Sequence, residues 1–224
     1  MRKVVFFDVD GVLLEWFKPF IEYANECGVP LSFDDITGYN LELLPCWDNP
    51  MHCFKMIGDF AKTDEWLNLP VLGHPTALHA LKNMGYELRV LSQVSNLEGQ
   101  KRRIAALSNI YGPVFSGIHF TTHKTKKSDW LVNFMEDAGD DPEVYMLDDK
   151  PETLLELALI RRDREFNDHG SRLHPIAINN LIDHPYLTEH IKALHEELPG
   201  CFDWCRNVQD FVEGRVSQDL AYGG

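Results

Sequence analysis

The chain has 224 residues, 44% of them hydrophobic and 25% charged, a globular composition with room for one core plus an appendage, or two small domains. Its 35 acidic residues outnumber 21 basic ones, a formal net charge of −14 that repels a nucleic-acid backbone and speaks against a duplex-binding module. No apolar run is long enough to cross a bilayer, and the apolar start is interrupted by Asp8 and Asp10, unlike a signal peptide.

In chain order, short β-branched or aromatic runs alternate with helical patterns, the rhythm of a parallel sheet with helices on both faces. Strands are predicted at Lys3–Phe7, 87–91, 118–121, 144–147 and 175–178. Between the first two, positions 15–72 hold no strand pattern. They carry helical fragments at 17–27 and 51–62 that are rich in aromatics, among them Trp16, Phe17, Phe20, Trp47, Phe60 and Trp66. The expected organisation is a Rossmann-like core of residues 1–14 and 73–224 with a small helical cap, 15–72, inserted after the first strand. Pro75 and Pro151 sit where a first helical turn should begin, and Gly85 and Gly139 follow the apolar stripes of two helices. The cysteines number five, with no metal-site pairing, which fits a reducing, cytoplasmic setting. Cys201 and Cys205 stand at helical spacing and read as buried thiols.

Four segments carry chemistry. Phe6-Phe7-Asp8-Val9-Asp10-Gly11 is a buried strand ending in two carboxylates and a glycine, at the strand end where open parallel sheets bind ligands. By itself it could equally be a turn whose aspartates cap amides. Val144-Tyr145-Met146-Leu147-Asp148-Asp149-Lys150 is a second apolar strand ending in adjacent acids. Four carboxylates at neighbouring strand ends repel one another unless a cation sits among them, and an all-oxygen donor set suits magnesium. Ser92 ends the strand 87–91 with a hydroxyl, and Thr121-Thr122-His123-Lys124-Thr125-Lys126-Lys127 places ammonium groups after the next.

The ordered set of acid pair, hydroxyl, lysine and acid pair, each after a strand, resembles the four motifs of the haloacid-dehalogenase superfamily over residues 1–155. The resemblance implies that Asp8 is a nucleophile and Asp10 a general acid/base. It further implies that Ser92 and a lysine bind phosphate, and that Asp148 and Asp149 complete a magnesium site with Asp8 and the Asp10 carbonyl. Lys124, preceding Thr125, is the favoured lysine; Lys126 and Lys127 are the alternatives. The implied activity is magnesium-dependent hydrolysis of phosphate monoesters through an aspartyl-phosphate.

Within the superfamily the chain looks most like the 5′(3′)-deoxyribonucleotidases, on the placement of the insertion, on Trp66-Leu67-Asn68-Leu69-Pro70, and on Lys124-Thr125 with Leu147-Asp148-Asp149-Lys150. The partner this implies is a small phosphorylated substrate, with a nucleotide as the candidate and another phosphometabolite as the alternative. Neither duplex nucleic acid nor a membrane is expected, and a homodimer is left open. Trp16, just past the first motif, is either a residue that stacks on a nucleobase or a core residue of the first inserted helix. A dehalogenase has no use for Asp10, and no lysine among Lys18, Lys55 and Lys62 is singled out for a Schiff base. A non-catalytic binding module that kept the fold is the remaining alternative, against which the intact Asp8 and Asp10 stand.

Overall fold

A computed structural model describes residues 2–36, 38–122, 124–138, 142–163, 172–180 and 185–222. Its centre is a six-stranded parallel sheet in the order β3-β2-β1-β4-β5-β6. The strands are β1 (Lys3–Phe7), β2 (Glu87–Gln93), β3 (Gly117–Thr121), β4 (Glu143–Asp148), β5 (Leu173–Ile178) and β6 (Asp203–Cys205). The order in which successive strands are laid down reverses between β1 and β4, so the crevice at their carboxyl ends is the topological switch point where such sheets hold ligands. The register sets the residues there side by side: Phe7 pairs with Val90 on one side and Leu147 on the other. Asp8 and Asp148 therefore emerge together, and Ser92 lies two residues past Val90 on the same edge.

Val4 to Phe7 are wholly buried, as a strand covered on both faces requires. Val5 and Phe7 belong to the larger apolar cluster, shared with the inserted helices, whereas Val4 and Phe6 face Leu131 and Met135 of α6 (Lys127–Asp137). Remaining helices of the core are α4 (Pro75–Asn83), α5 (Leu97–Tyr111), α7 (Pro151–Arg162), α8 (Pro185–Glu197) and α9 (Val208–Tyr222). Pro75 and Pro151 begin α4 and α7 as expected, since a first-turn residue has no intrahelical use for its amide. Gly85, at φ +86°, closes α4 in the left-handed region. Gly139 lies outside the described residues.

Between β1 and β2 the chain forms α1 (Phe17–Glu26), two short 3₁₀ turns at Phe33–Asp35 and Leu41–Leu43, α2 (Pro50–Phe60) and α3 (Asp64–Leu67). It leaves the sheet and returns to it through adjacent segments. The Glu15 amide donates to the Pro70 carbonyl at 2.8 Å, and the Leu72 and Gly73 amides both donate to the Leu13 carbonyl.

Two features depart from the sequence reading. Strand β6 was absent from it, and the helical spacing of Cys201 and Cys205 does not correspond to a helix. Cys205 ends β6 and Cys201 precedes it, both are half-buried rather than buried, and all five cysteines are free. The edge strand has only three residues, two of them exposed, so it lacks the alternation that makes a strand readable. No helix among the described residues is long and apolar enough to cross a membrane.

Candidate active site

The first motif turns sharply because Gly11 takes φ +80°, and a Cβ there would lie 1.9 Å from Asp149 Oδ2. Glycine is thus required for conformation and for space. Asn180, just after β5, secures the loop by donating its amide to the Gly11 and Val12 carbonyls at 2.9 and 3.2 Å.

Asp8, Asp148 and Asp149 are buried together, with a carboxylate oxygen from each lying within 4.8 Å of the others. Lys127, the first residue of α6, reaches in among them. Its Nζ is 2.6 Å from Asp8 Oδ2 and 2.7 Å from Asp148 Oδ2. The other oxygen of Asp8 accepts the Val9 amide at 2.7 Å, and the other oxygen of Asp148 accepts the Lys150 amide at 2.9 Å. From the insertion, the Tyr39 hydroxyl lies 2.8 Å from both Asp149 Oδ2 and the Asp149 carbonyl oxygen.

One ammonium among three carboxylates leaves excess negative charge in a buried space. Burial pushes the Asp148 carboxyl up to about 6, with Lys127 opposing and Asp8 adding to the shift. Asp149 is held well above the carboxylate range by burial and by its two acidic neighbours, against the Tyr39 hydrogen bond. Burial alone would lower the Lys127 pKa, but Asp148 and Asp8 outweigh it and the net shift is upward. Such a cluster can be satisfied by protons or by a hard divalent cation, and oxygen-only donors at this spacing fit the latter.

Asp10 stands slightly apart. Its Oδ1 receives a hydrogen bond from Arg103 Nη2 at 2.5 Å, and its side chain keeps 29% of its surface exposed where Arg103 keeps none. Burial raises its pKa to about 6, Arg103 lowering and Asp8 raising it in turn. This is a carboxyl suited to giving and taking a proton near neutrality. Ser92 is buried near the end of β2.

The structure thus gathers Asp8, Asp148, Asp149 and, beside them, Asp10. It does not bring Lys124 in: that side chain is exposed in the turn after β3, with its amide bonded to Thr122 Oγ1. Of the three lysines weighed, Lys127 is the one in contact with the carboxylates, while exposed Lys126 pairs with Glu156. Trp16 is 8% exposed, stacked on Phe20 at 4.5 Å and edge-on to Phe17 and Phe60. It packs as a core residue of the inserted helices, because the aromatic cluster of the insertion needs a centre. A cavity of about 200 Å³ lies between Tyr39 and Leu44 of the insertion, Pro151 and Glu152 at the start of α7, and His190 of α8; none of the four aspartates lines it.

Arg103 and Tyr39 were not singled out from the sequence. Arg103 sits in Lys101-Arg102-Arg103, which reads as a solvated run. The signal available was phase, since Gly99, Arg103, Ala106, Leu107 and Tyr111 form the buried stripe of α5. A charge on that stripe needs a partner. Tyr39 gave no local signal.

No protein-family model matches the sequence, and no curated protein does. Solved structures do match in backbone. One is a haloacid dehalogenase-like family hydrolase from Streptococcus pneumoniae, with TM-score 0.62 and 17% identity over 100% of this chain and 99% of that one. Another is CbbY from Rhodobacter sphaeroides in complex with phosphate, with TM-score 0.55 and 17% identity over 94% and 96%. A haloacid dehalogenase-like family hydrolase from Xanthomonas campestris matches with TM-score 0.53 and 12% identity over 99% and 98%. With its 3-2-1-4-5-6 parallel sheet and helices inserted after β1, the chain has the fold of the haloacid dehalogenase-like hydrolases.

Proposed function

We propose that the protein hydrolyses small phosphate monoesters with Asp8 as nucleophile. The observation that carries this is the buried triad Asp8, Asp148 and Asp149, bridged by Lys127 at the switch point of the sheet. Its support from outside the chain is the fold shared with a protein solved with phosphate.

In this reading Asp8, Asp148 and Asp149 hold a divalent cation, magnesium by donor chemistry, which when bound neutralises the cluster and the substrate's non-bridging oxygens. The Val9 amide and Lys127 fix both oxygens of Asp8, aiming one at phosphorus. An Asp8 oxygen forms the new P–O bond as the ester P–O bond breaks, and Asp10 gives its proton to the departing alkoxide. Water then attacks the aspartyl-phosphate while Asp10 takes a proton back. The acyl P–O bond breaks, releasing phosphate and restoring Asp8. Lys127 rather than Lys124, together with Ser92, binds the phosphoryl oxygens in this reading.

Residues 15–72 serve as the cap, joined to the core (1–14 and 73–224) by the paired crossing segments. Lids of this kind select the leaving group without altering the phosphoryl chemistry. Nucleoside monophosphates are the finer substrate proposal. It rests on the likeness of the insertion and of the fourth motif, without a contribution from Lys124, which lies outside the site, or from Trp16, whose face is taken by Phe20.

The test is hydrolysis of an aryl phosphate with and without magnesium, beside a panel of nucleotides and sugar phosphates. Asp8→Asn should abolish turnover, because an amide cannot form the acyl phosphate. Full activity in excess chelator, or in Asp8→Asn, would overturn the reading.

A further inference from the structure

Two consecutive arginines of α5 grip the short helix α3 of the insertion. Arg102 Nη2 donates to the Thr63 carbonyl at 2.5 Å. The guanidinium of Arg103 lies 3.9 Å from the ring centroid of Trp66, within cation–π range. The same guanidinium reaches the other way, to Asp10 Oδ1. Arg103 is wholly buried, yet its Nε and Nη1 have no hydrogen-bond partner among the described residues.

That is a poor bargain for packing alone. A buried cation loses its hydration, and an apolar side chain of the same volume usually serves stability as well or better. What an apolar residue could not do is hold the carboxylate of Asp10. Its bond to Arg103 fixes one oxygen of a side chain that is otherwise partly free in solvent, and the Trp66 ring fixes the guanidinium in turn.

We propose that Arg103 is a positioning residue, which, sandwiched between Trp66 of the insertion and Asp10 of the core, orients the Asp10 carboxyl for proton transfer. Docking of α3 on α5 is thereby felt at the acid/base. The inference rests on the phosphatase reading, in which Asp10 protonates the leaving group.

The experiment uses the full chain and two esters: a simple alkyl phosphate, whose departing alkoxide needs a proton, and 4-nitrophenyl phosphate, whose phenolate does not. The quantity kcat/KM reports steps up to departure of the alcohol, whereas kcat also includes hydrolysis of the acyl phosphate, where Asp10 acts as base. Arg103→Met should lower kcat/KM about 100-fold for the alkyl ester, within the usual worth of acid help, and less than about ten-fold for the aryl ester, while kcat falls on both. Arg103→Lys should recover part of the loss. Trp66→Ala should shift the ratio of the two esters in the same direction by a smaller factor, and it keeps the test open if Arg103→Met does not fold.

Equal losses of kcat/KM on both esters, or no loss, in a variant with an unchanged melting temperature would overturn the inference and leave the pair a packing contact. A wild-type chain inactive on both esters would overturn the phosphatase reading itself.

Discussion

Lys127 Nζ sits 2.6 Å from Asp8 Oδ2 in a space where both side chains are almost wholly buried, so neither group can be altered without exposing the other's charge to a low-dielectric surrounding. The lysine is the first residue of α6, and its reach into the strand ends follows from where that helix begins. The three lysines of the loop are thereby distinguished. Lys127→Ala should lower kcat/KM for an aryl phosphate by about 100-fold or more, on the scale reported for removing one charge-stabilising donor. Lys124→Ala should stay within about three-fold. Steady-state kinetics on the two variants checks this, and the reverse ranking would return the phosphate contact to Lys124.

The acidic cluster makes metal binding depend on pH in a definite direction. Asp148 is raised to about 6 and Asp149 is raised well above its ordinary value, both by burial first, so the metal-free fold binds more protons here than the unfolded chain does. Their contribution to stability is present below the ordinary carboxylate range and is lost as pH rises, through about 6 for Asp148 and through its own raised pKa for Asp149. A bound cation reverses the sign, since it requires the ionised form. The rise in melting temperature on adding magnesium should therefore be larger at pH 8 than at pH 5.5, measured by thermal denaturation. A larger rise at the lower pH would be incompatible with these carboxylates as the ligands.

Tyr39 brings the insertion to a carboxylate of the acidic cluster, with its hydroxyl 2.8 Å from Asp149 Oδ2. Tyr39→Phe keeps the ring and removes the donor. Groups that orient a ligand in this way are commonly worth 10–100-fold in metal affinity or activity. The magnesium concentration at half-maximal activity should rise by about ten-fold, with a smaller change at saturating magnesium. An unchanged magnesium requirement would reduce Tyr39 to a contact between insertion and core.

Trp16 lies at the centre of the inserted aromatics. Trp16→Ala should cost about 3–5 kcal/mol of stability as a core truncation. Measured below its melting temperature, it should lower activity on nucleoside monophosphates and on an alkyl phosphate by similar factors. A selective loss of about ten-fold or more on nucleotides would instead revive base stacking by this residue.

Much of this architecture was already legible in the order of residues. Buried parallel strands read as apolar runs, so β1 to β5 stood out, and three of them ended in a group that the register later aligned: Asp8 after Phe7, Asp148 after Leu147, Ser92 after Leu91. Gly11, Gly85, Pro75 and Pro151 punctuated those units because each meets a local backbone demand, and local demands are carried by local sequence. What only the tertiary structure decided depends on contacts between distant segments. The start of α6 put Lys127, and not Lys124, in contact with the carboxylates. The docking of α3 on α5 turned Arg103 from a surface cation into a buried partner of Asp10, 93 residues away. The fold of the insertion carried Tyr39 to Asp149, 110 residues away, and drew Trp16 into its own core. Periodicity says which face of a helix is covered, but the identity of what covers it is set by packing across the whole chain.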